Sequence, residues 1–462
     1  MPVSKIEVSG TPQIVKNYCE LGNMSIEANS VDSYVCKLPI ISLFSGALGL
    51  DLGLEKAGFQ TRVAVECNKF AADTIRKNRP GIPVIEKKIE DVTTEEILEI
   101  AKLRPGEPVI VTGGPSCQSF STVGQRGSLT DPRGMLFQEF LRVIRETQPQ
   151  FFIMENVKGI FSAAIKHRPL KERGLGYPPL EPEEELGSGF VEILKELRDI
   201  NYYTVFDLLN TANYGVPQVR ERAIFIGSRD GEPVAIPEPT HAKDPVNDLV
   251  RWVTLKEGLE GLEDKNPLYR NFNASKRQFI QIIPEGGNWR NLPPELQEQA
   301  IGGAYKSWGG RGGFLRRLSW SQPSPTLTTN PDGKATMLCH PTECRPLSVK
   351  EYARLQQFPD SWEFSGSLSQ QYTQIGNAVP IGLGKAIGQA IQKVIQSDQK
   401  MIKRTGIYTR EDLLKRLVNR PRTMLSPPNM WKIKDREAAR EWMNGHNRNR
   451  IEILEYVSCY QD

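Results

Sequence analysis

From residue 39 onward the chain repeatedly exchanges an apolar strand pattern for a glycine turn and then a helical pattern, and few architectures satisfy that alternation. PIISLF leads into a glycine-rich turn and GLEKAG, TRVAVE into KFAADTIRKN, PVIVTGG into a loop and then FQEFLRVIRETQ, with FFIMENV as the next apolar run. Strands alternating with helices argue for an α/β fold built on a doubly wound, mostly parallel sheet. FVEILKELRDI then reads as a helix, and YYTVFDLLN and RAIFIGS as two further strands, while the Pro-, Gly- and Glu-rich stretch over 168–189 reads as a loop insertion. Near residue 230 the character changes to PEPTHAKDP and then to glycine pairs, scattered aromatics and short strands, before regular helices return at SVKEYARLQQF and IGLGKAIGQAIQKVIQ. At 462 residues the chain exceeds what one core fills, since single cores stop growing at roughly 250–300 residues. The expected organisation is an N-terminal extension over 1–38, the first part of the α/β domain over 39–229, a second, smaller domain over 230–340, the closing part of the α/β domain over 341–396 and a helical C-terminal extension over 397–462.

Two of the expected strands end on reactive side chains. VIVTGGPSCQSFS breaks from a strand into a glycine-proline turn that holds Cys117, and FFIMENVKG ends on Glu155 and Asn156. Carboxyl ends of neighbouring strands in an open α/β sheet line one crevice, so Cys117 and Glu155 are expected to face one substrate. A nucleophile and an acid at one site imply covalent catalysis. A cysteine is more commonly a small buried residue, but this turn and the nearby acid weigh against that. The first turn, FSGALGLDLG, places Gly46, Gly49 and Gly53 at spacings that do not give GxGxxG. Glu66 at the end of the next strand can bind both hydroxyls of a ribose, and a ribose without a pyrophosphate fits S-adenosylmethionine.

Composition bounds the partners. Residues 400–462 carry 14 Lys and Arg against 8 Asp and Glu, whereas the whole chain has a net charge of only +4. A basic tail on a near-neutral body suggests a polyanion, and a solvated helical surface accounts for the charge equally well. No apolar run approaches the roughly 20 residues of a membrane span, and MPVSKIEVSG has no signal-like core, so a cytoplasmic protein is expected. Seven cysteines without a CxxC pair and four scattered histidines give no expectation of a metal site.

LFSGALGLDLGLEKAG (43–58), VECNKFA (65–71), IEDV (89–92), GGPSCQSFS (113–121), DPRGMLF (131–137), MENVKG (154–159), NYGVPQVRERAIFIG (213–227), RPLSVKEYARLQQFPD (345–360) and QIGNAVP (374–380) follow one another along the chain. This ordered set resembles the DNA cytosine-5 methyltransferases of bacterial restriction-modification systems, over about residues 39–390. The resemblance implies an S-adenosylmethionine-dependent methyltransferase fold with a target-recognition domain at 230–340. It implies that Phe44, Gly46, Leu48, Gly49, Glu66, Asp91 and Val92 line the cofactor, with Asp91 reaching the adenine amine and Asn377 returning to the same pocket. Cys117 would add to cytosine C6, Glu155 would protonate N3, and Asn156 would hold the exocyclic amine or the loop. Arg222 would contact the target cytosine and Arg220 would support a phosphate and the catalytic loop. Gln118, Ser121, Gln218, Arg311, Arg316 and Arg317 are the candidate DNA contacts, and the loop over 118–134 is long enough to close on a flipped base. Ser116 stands where the family usually has proline, which loosens the turn before the nucleophile and leaves the reaction class unchanged.

The implied partner is double-stranded DNA, bound by a monomer, alongside a cognate restriction endonuclease that shares the target site. Two other readings are weighed. A tRNA cytosine-5 methyltransferase would need a smaller recognition domain than 230–340 provides, and a catalytically silent DNA-binding relative is disfavoured by intact Cys117, Glu155, Asn156 and Arg222. A nicotinamide oxidoreductase is disfavoured by the missing GxGxxG.

Overall fold

The computed structural model describes residues 37–115 and 135–396, apart from 167, 170, 171, 174, 175, 231–233 and 307–310. Its centre is a seven-stranded sheet made of β1 (Leu38–Leu43), β2 (Phe59–Val65), β3 (Val84–Ile85), β4 (Ile110–Gly113), β5 (Phe151–Val157), β6 (Tyr203–Asn210) and β8 (Glu221–Ser228), in the order β3-β2-β1-β4-β5-β8-β6. The short β7 (Gln218–Val219) lies outside it, paired with the Ser324–Pro325 strand. Pairing is parallel from β3 through β5, and β8 runs antiparallel to both β5 and β6.

The near-continuous apolar runs are what a sheet covered on both faces requires, because successive strand residues point to opposite sides. Ile41, Val111, Phe152 and Phe225 enter one core, with Phe140 and Leu141 of α4 (Met135–Thr147) and Ile193 and Leu197 of α5 (Ser188–Asp199). Their neighbours Ile40, Ile110, Phe151 and Ile224 enter the other, with Leu50 and Leu54 of α1 (Gly49–Glu55) and Ile387 and Ile391 of α11 (Ile381–Gln396). The doubly wound expectation therefore holds, with α11 supplying the second face. Helices α2 (Lys69–Asn78) and α3 (Thr94–Ala101) are capped by Asn68 and Thr93, whose side-chain oxygens accept from the first-turn N–H groups.

Residues 241–340 differ from expectation in kind. Where short strands were expected, the chain forms α6 (Leu255–Leu259), α7 (Ala274–Ile280) and α8 (Pro294–Ile301), linked by loops and strands of two residues. The local signals are helical starts: Thr254 and Glu257 form a capping box, Asn273 caps α7, and Pro294 opens α8. A core of its own gathers Phe279, Ile283, Trp289, Leu292 and Leu315. Helices α9 (Val349–Leu355) and α10 (Leu368–Asn377) then lead into α11.

Helices α1 and α11 touch through glycines. A Cβ on Gly49 would lie 2.3 Å from Val379 O, one on Gly53 2.4 Å from Ile381 O, and one on Gly384 2.6 Å from Leu50 O. Between them Asp51 is 3% exposed, and burial, reinforced by the nearby Glu55 charge, pushes its carboxyl up to about 7. A folded-state pKa raised above the ordinary 3.8 means that the native state holds the extra proton. The associated stability is present in acid and is lost as pH rises toward about 7. Asp51→Asn should remove this dependence. Urea midpoints measured from pH 5 to 8 are expected to fall with pH more steeply for the wild type than for the variant, and parallel curves would refute the buried-acid assignment.

Candidate active site

Because β1 to β5 run parallel, their carboxyl ends share one edge, and the order reverses between β1 and β4, where open α/β sheets bind ligands. Among the described residues, Phe44, Gly46, Leu48, Glu66, Asp91, Val92, Glu155 and Asn156 fall at or just beyond the strand ends on that edge. The β1 exit turns sharply: Phe44, Gly46 and Leu48 have φ of 51°, 53° and 64°, left-handed values that only glycine adopts freely. A Cβ on Gly46 would meet nothing within 4 Å, so the turn opens onto space there. Leu48 is 1% exposed and buried in the core, so it can offer the crevice only backbone. Gly49, assigned to the cofactor from sequence, has its missing side chain taken up by the Val379 carbonyl, which makes helix packing its first requirement.

Glu66 follows β2 and is 9% exposed. One carboxylate oxygen accepts from Gly46 N at 2.7 Å and the other from Asn68 N at 2.7 Å, so Glu66 ties the glycine turn to the start of α2. Burial raises its pKa and the two backbone N–H donors oppose that rise. A carboxylate has about four acceptor sites, which leaves capacity on both oxygens for a diol. Asp91 stands exposed on the Ile89–Asp91 turn after β3, while Val92 beside it is 2% exposed. Asn377 is exposed at the end of α10.

The reactive end lies at β4 and β5. Cys117, Gln118 and Ser121 are outside the described residues, but the approach is described as far as Pro115, whose carbonyl accepts from Asn156 Nδ2 at 3.2 Å. The Asn156 Oδ1 accepts from Val157 N at 2.8 Å. Glu155 Oε2 sits over Gly114, 3.0 Å from where a Cβ would be, and Glu155 Oε1 is 2.6 Å from Arg222 Nε. The reversal of β8 makes that ion pair possible. An antiparallel strand brings its beginning to the edge where β5 ends, so Arg222 sits opposite Val157 and diagonal to Glu155 on the same face. Burial lowers the Arg222 pKa and the Glu155 charge opposes it.

Three residues assigned to the site from sequence are buried against the protein's own chain. Gln218, expected to contact DNA, is 0% exposed: its Nε2 donates to Gln356 Oε1 at 3.0 Å and its Oε1 accepts from Leu327 N at 3.0 Å. Arg220, expected to act catalytically, is 1% exposed and donates to Leu327 O at 2.8 Å and Gly376 O at 2.7 Å. Arg317, also expected on DNA, is buried and donates to the carbonyls of Ile280, Ile283, His340 and Glu343. Alternation along PQVRER marked one polar face correctly but could not show that the chain at 324–328 covers it. Arg316 is half-buried with Nε on Met337 O at 3.1 Å, and Arg311 opens a short turn, its side chain outside the described set. Sequence reasoning missed Gln356, whose amide also donates to Ile375 O at 2.7 Å and so joins the strap to α10. Its only signal is a place in RLQQFPD that charge and pattern do not distinguish.

A doubly wound, mostly parallel sheet with Glu66 just after β2 and the Glu155–Arg222 pair at the end of β5 has the arrangement of a Rossmann-like methyltransferase fold. Residues 38–393 match the family model of the C-5 cytosine-specific DNA methylases, and the chain belongs to that family. It is 37% identical over 352 residues to the type II methyltransferase M.Sau96I of Staphylococcus aureus, covering 76% of this chain and 75% of the relative. It is 38% identical over 366 residues to M.PspPI of Psychrobacter sp. (strain TA137), covering 78% and 80%. A solved prophage-encoded protein of E. coli, 24% identical, superposes with a TM-score of 0.53 over 78% of this chain and 99% of that one. The protein is a DNA cytosine-5 methyltransferase of the type II restriction-modification kind. No helix among the described residues is long and apolar enough to cross a membrane.

Proposed function

We propose that the chain methylates one cytosine within a fixed sequence of duplex DNA, taking the target base out of the stack and into the crevice at the ends of β4 and β5. The observation that carries this reading is the Glu155 and Arg222 pair beside the Asn156 bond to Pro115, two residues before Cys117 in the chain. Cytosine C5 is too weak a nucleophile to attack a methyl donor until C6 has been saturated. Cys117 adds to C6 while Glu155 delivers a proton to N3. Arg222 orients the Glu155 carboxyl, and Asn156 holds the loop from its start. After methyl transfer, loss of the C5 proton expels the thiol and restores the ring.

The open turn at Gly46, the unsaturated acceptor capacity of Glu66 and the exposed Asp91 and Asn377 fit a nucleoside cofactor. S-adenosylmethionine, when bound, supplies an electrophilic methyl group. Glu66 would hold its ribose, the Asp91 turn its base, and backbone at Phe44 to Leu48 its remaining edge. Glu66→Ala removes charge-assisted hydrogen bonds worth about 1.5–3 kcal/mol, so cofactor affinity measured by calorimetry should fall by roughly ten- to a hundredfold with DNA affinity little changed. An unaltered cofactor titration would sink the ribose assignment.

Residues 230–340 would read the DNA sequence, and the basic stretch over 397–462 would add phosphate contacts. The protein would act as a monomer in the cytoplasm, beside a cognate endonuclease that shares its target site. Bisulfite sequencing of DNA from cells expressing the protein tests the function: protected cytosines at one recurring sequence are expected. Unprotected DNA, or label transferred to tRNA instead, would overturn the proposal.

A further inference from the structure

The guanidinium of Arg142 is more heavily engaged than a half-buried helix side chain needs to be. Arg142 lies on α4, and its Nη2 donates to both Ile89 O at 3.2 Å and Val92 O at 3.0 Å. Its Nη1 donates to Thr94 Oγ1 at 3.0 Å and Glu146 Oε2 at 3.2 Å, and its Nε to Glu139 Oε2 at 2.8 Å. The two carbonyls bracket Glu90 and Asp91. The turn's own N–H groups close it internally, Asp91 N onto Lys88 O and Val92 N onto Ile89 O. Ile89 and Val92 point into the core, at 4% and 2% exposed, and leave Asp91 outward. This three-residue turn follows a strand of two residues, so little else fixes its height and tilt. Thr94 Oγ1 in turn donates to Glu146, which extends the clamp to the first residue of α3.

We propose that Arg142 is a positioning residue for the cofactor, holding the Asp91–Val92 backbone so that the Asp91 carboxylate meets the base of the nucleoside. The proposal rests on the cofactor reading above and adds a residue that makes no contact with the cofactor itself. Because α4 begins at Met135, directly after the segment that carries Cys117, the same guanidinium joins the base-binding turn to the helix on which that segment ends. A fixed carboxylate binds without ordering cost, and a loosened one must be ordered at each binding event.

The test is calorimetric titration of S-adenosylhomocysteine into the full chain, wild type, Arg142→Met and Arg142→Lys, together with steady-state kinetics and DNA binding. Arg142→Met is expected to weaken cofactor affinity about tenfold and raise the KM for S-adenosylmethionine to match, with kcat at saturating cofactor and DNA affinity within about twofold. Arg142→Lys, able to reach one of the two carbonyls, should recover part of the loss. Unchanged affinity, or equal losses in cofactor affinity, kcat and DNA binding, would overturn the positioning role. If Arg142→Met does not fold, Thr94→Val takes its place: it removes the hydroxyl between Arg142 and Glu146 and should shift cofactor affinity in the same direction by less, and no shift in it or in Arg142→Lys overturns the proposal. A wild type that does not bind S-adenosylhomocysteine would refute the cofactor reading and this proposal with it, whereas wild-type binding with an unchanged variant refutes this proposal alone.

Discussion

Cys117→Ser should abolish methyl transfer while leaving cofactor and DNA binding in place. A free thiol has a pKa of about 8.5 and its thiolate is the attacking form, whereas a serine hydroxyl at neutral pH has no comparable anion to add to C6. The loss in kcat is expected to be at least about a thousandfold, roughly 4 kcal/mol in barrier, measured as tritium transferred from labelled cofactor. DNA carrying 5-fluorocytosine at the target should trap wild-type protein as a covalent adduct on a denaturing gel and should not trap the variant, because fluorine cannot leave C5 as the proton does. Turnover by the serine variant, or an adduct formed without Cys117, would remove the covalent mechanism.

Arg220→Met should cost stability more than any other substitution at the site. The side chain is fully buried, and its contacts with Leu327 O and Gly376 O join the 324–328 stretch to α10. Burial and the neighbouring Arg222 charge lower its pKa. A buried arginine bonded to carbonyls contributes chiefly through what its removal strands. Two carbonyls would be left without donors at about 1–3 kcal/mol each, so a loss of roughly 2–6 kcal/mol is expected in urea denaturation. Methionine keeps the length and apolar bulk, which isolates the hydrogen bonds from cavity effects. A variant with the wild-type midpoint would show that the strap does not depend on Arg220.

The sheet and the edge that carries chemistry were legible in the sequence because both follow from local pattern. Apolar runs of strand length mark β1, β2, β4 and β5, and the turns that follow them must fall at one edge of a parallel sheet, so Glu66, Glu155 and Asn156 could be placed on one edge from the sequence, whereas Asp91 rested on the family resemblance. Arg222 was assigned through the family resemblance, and the antiparallel strand that brings it beside Glu155 was not legible, since alternation of residue types carries no direction. Gln218, Arg220 and Arg317 misled for a related reason. Polar residues imply solvent unless another segment covers them: the chain at 324–328 that covers Gln218 and Arg220 lies more than a hundred residues away in sequence, and Arg317 is enclosed by carbonyls of residues 280–283 and 340–343. The helices of 241–301 were signalled by caps at Thr254 and Asn273, which glycine content and scattered aromatics obscured. Arg142 carried no signal, because a helical arginine three and four residues from glutamates reads as surface pairing.

The glycine contact between α1 and α11 has a consequence for how the molecule is made. Leaving the ribosome in order, the chain emits β1 and α1 more than three hundred residues before α11, so Ile40, Ile110, Phe151 and Ile224 have no lasting cover on that face until residues 381–396 arrive. At about 5–20 residues per second this interval is roughly tens of seconds. During it the nascent polypeptide exposes a broad apolar surface of the kind chaperones bind, and a transcript truncated anywhere before residue 381 yields a product that cannot bury it. Quality control of this methyltransferase is thus tied to translation past that point, since the helix that finishes the sheet is made more than three hundred residues after the first strand.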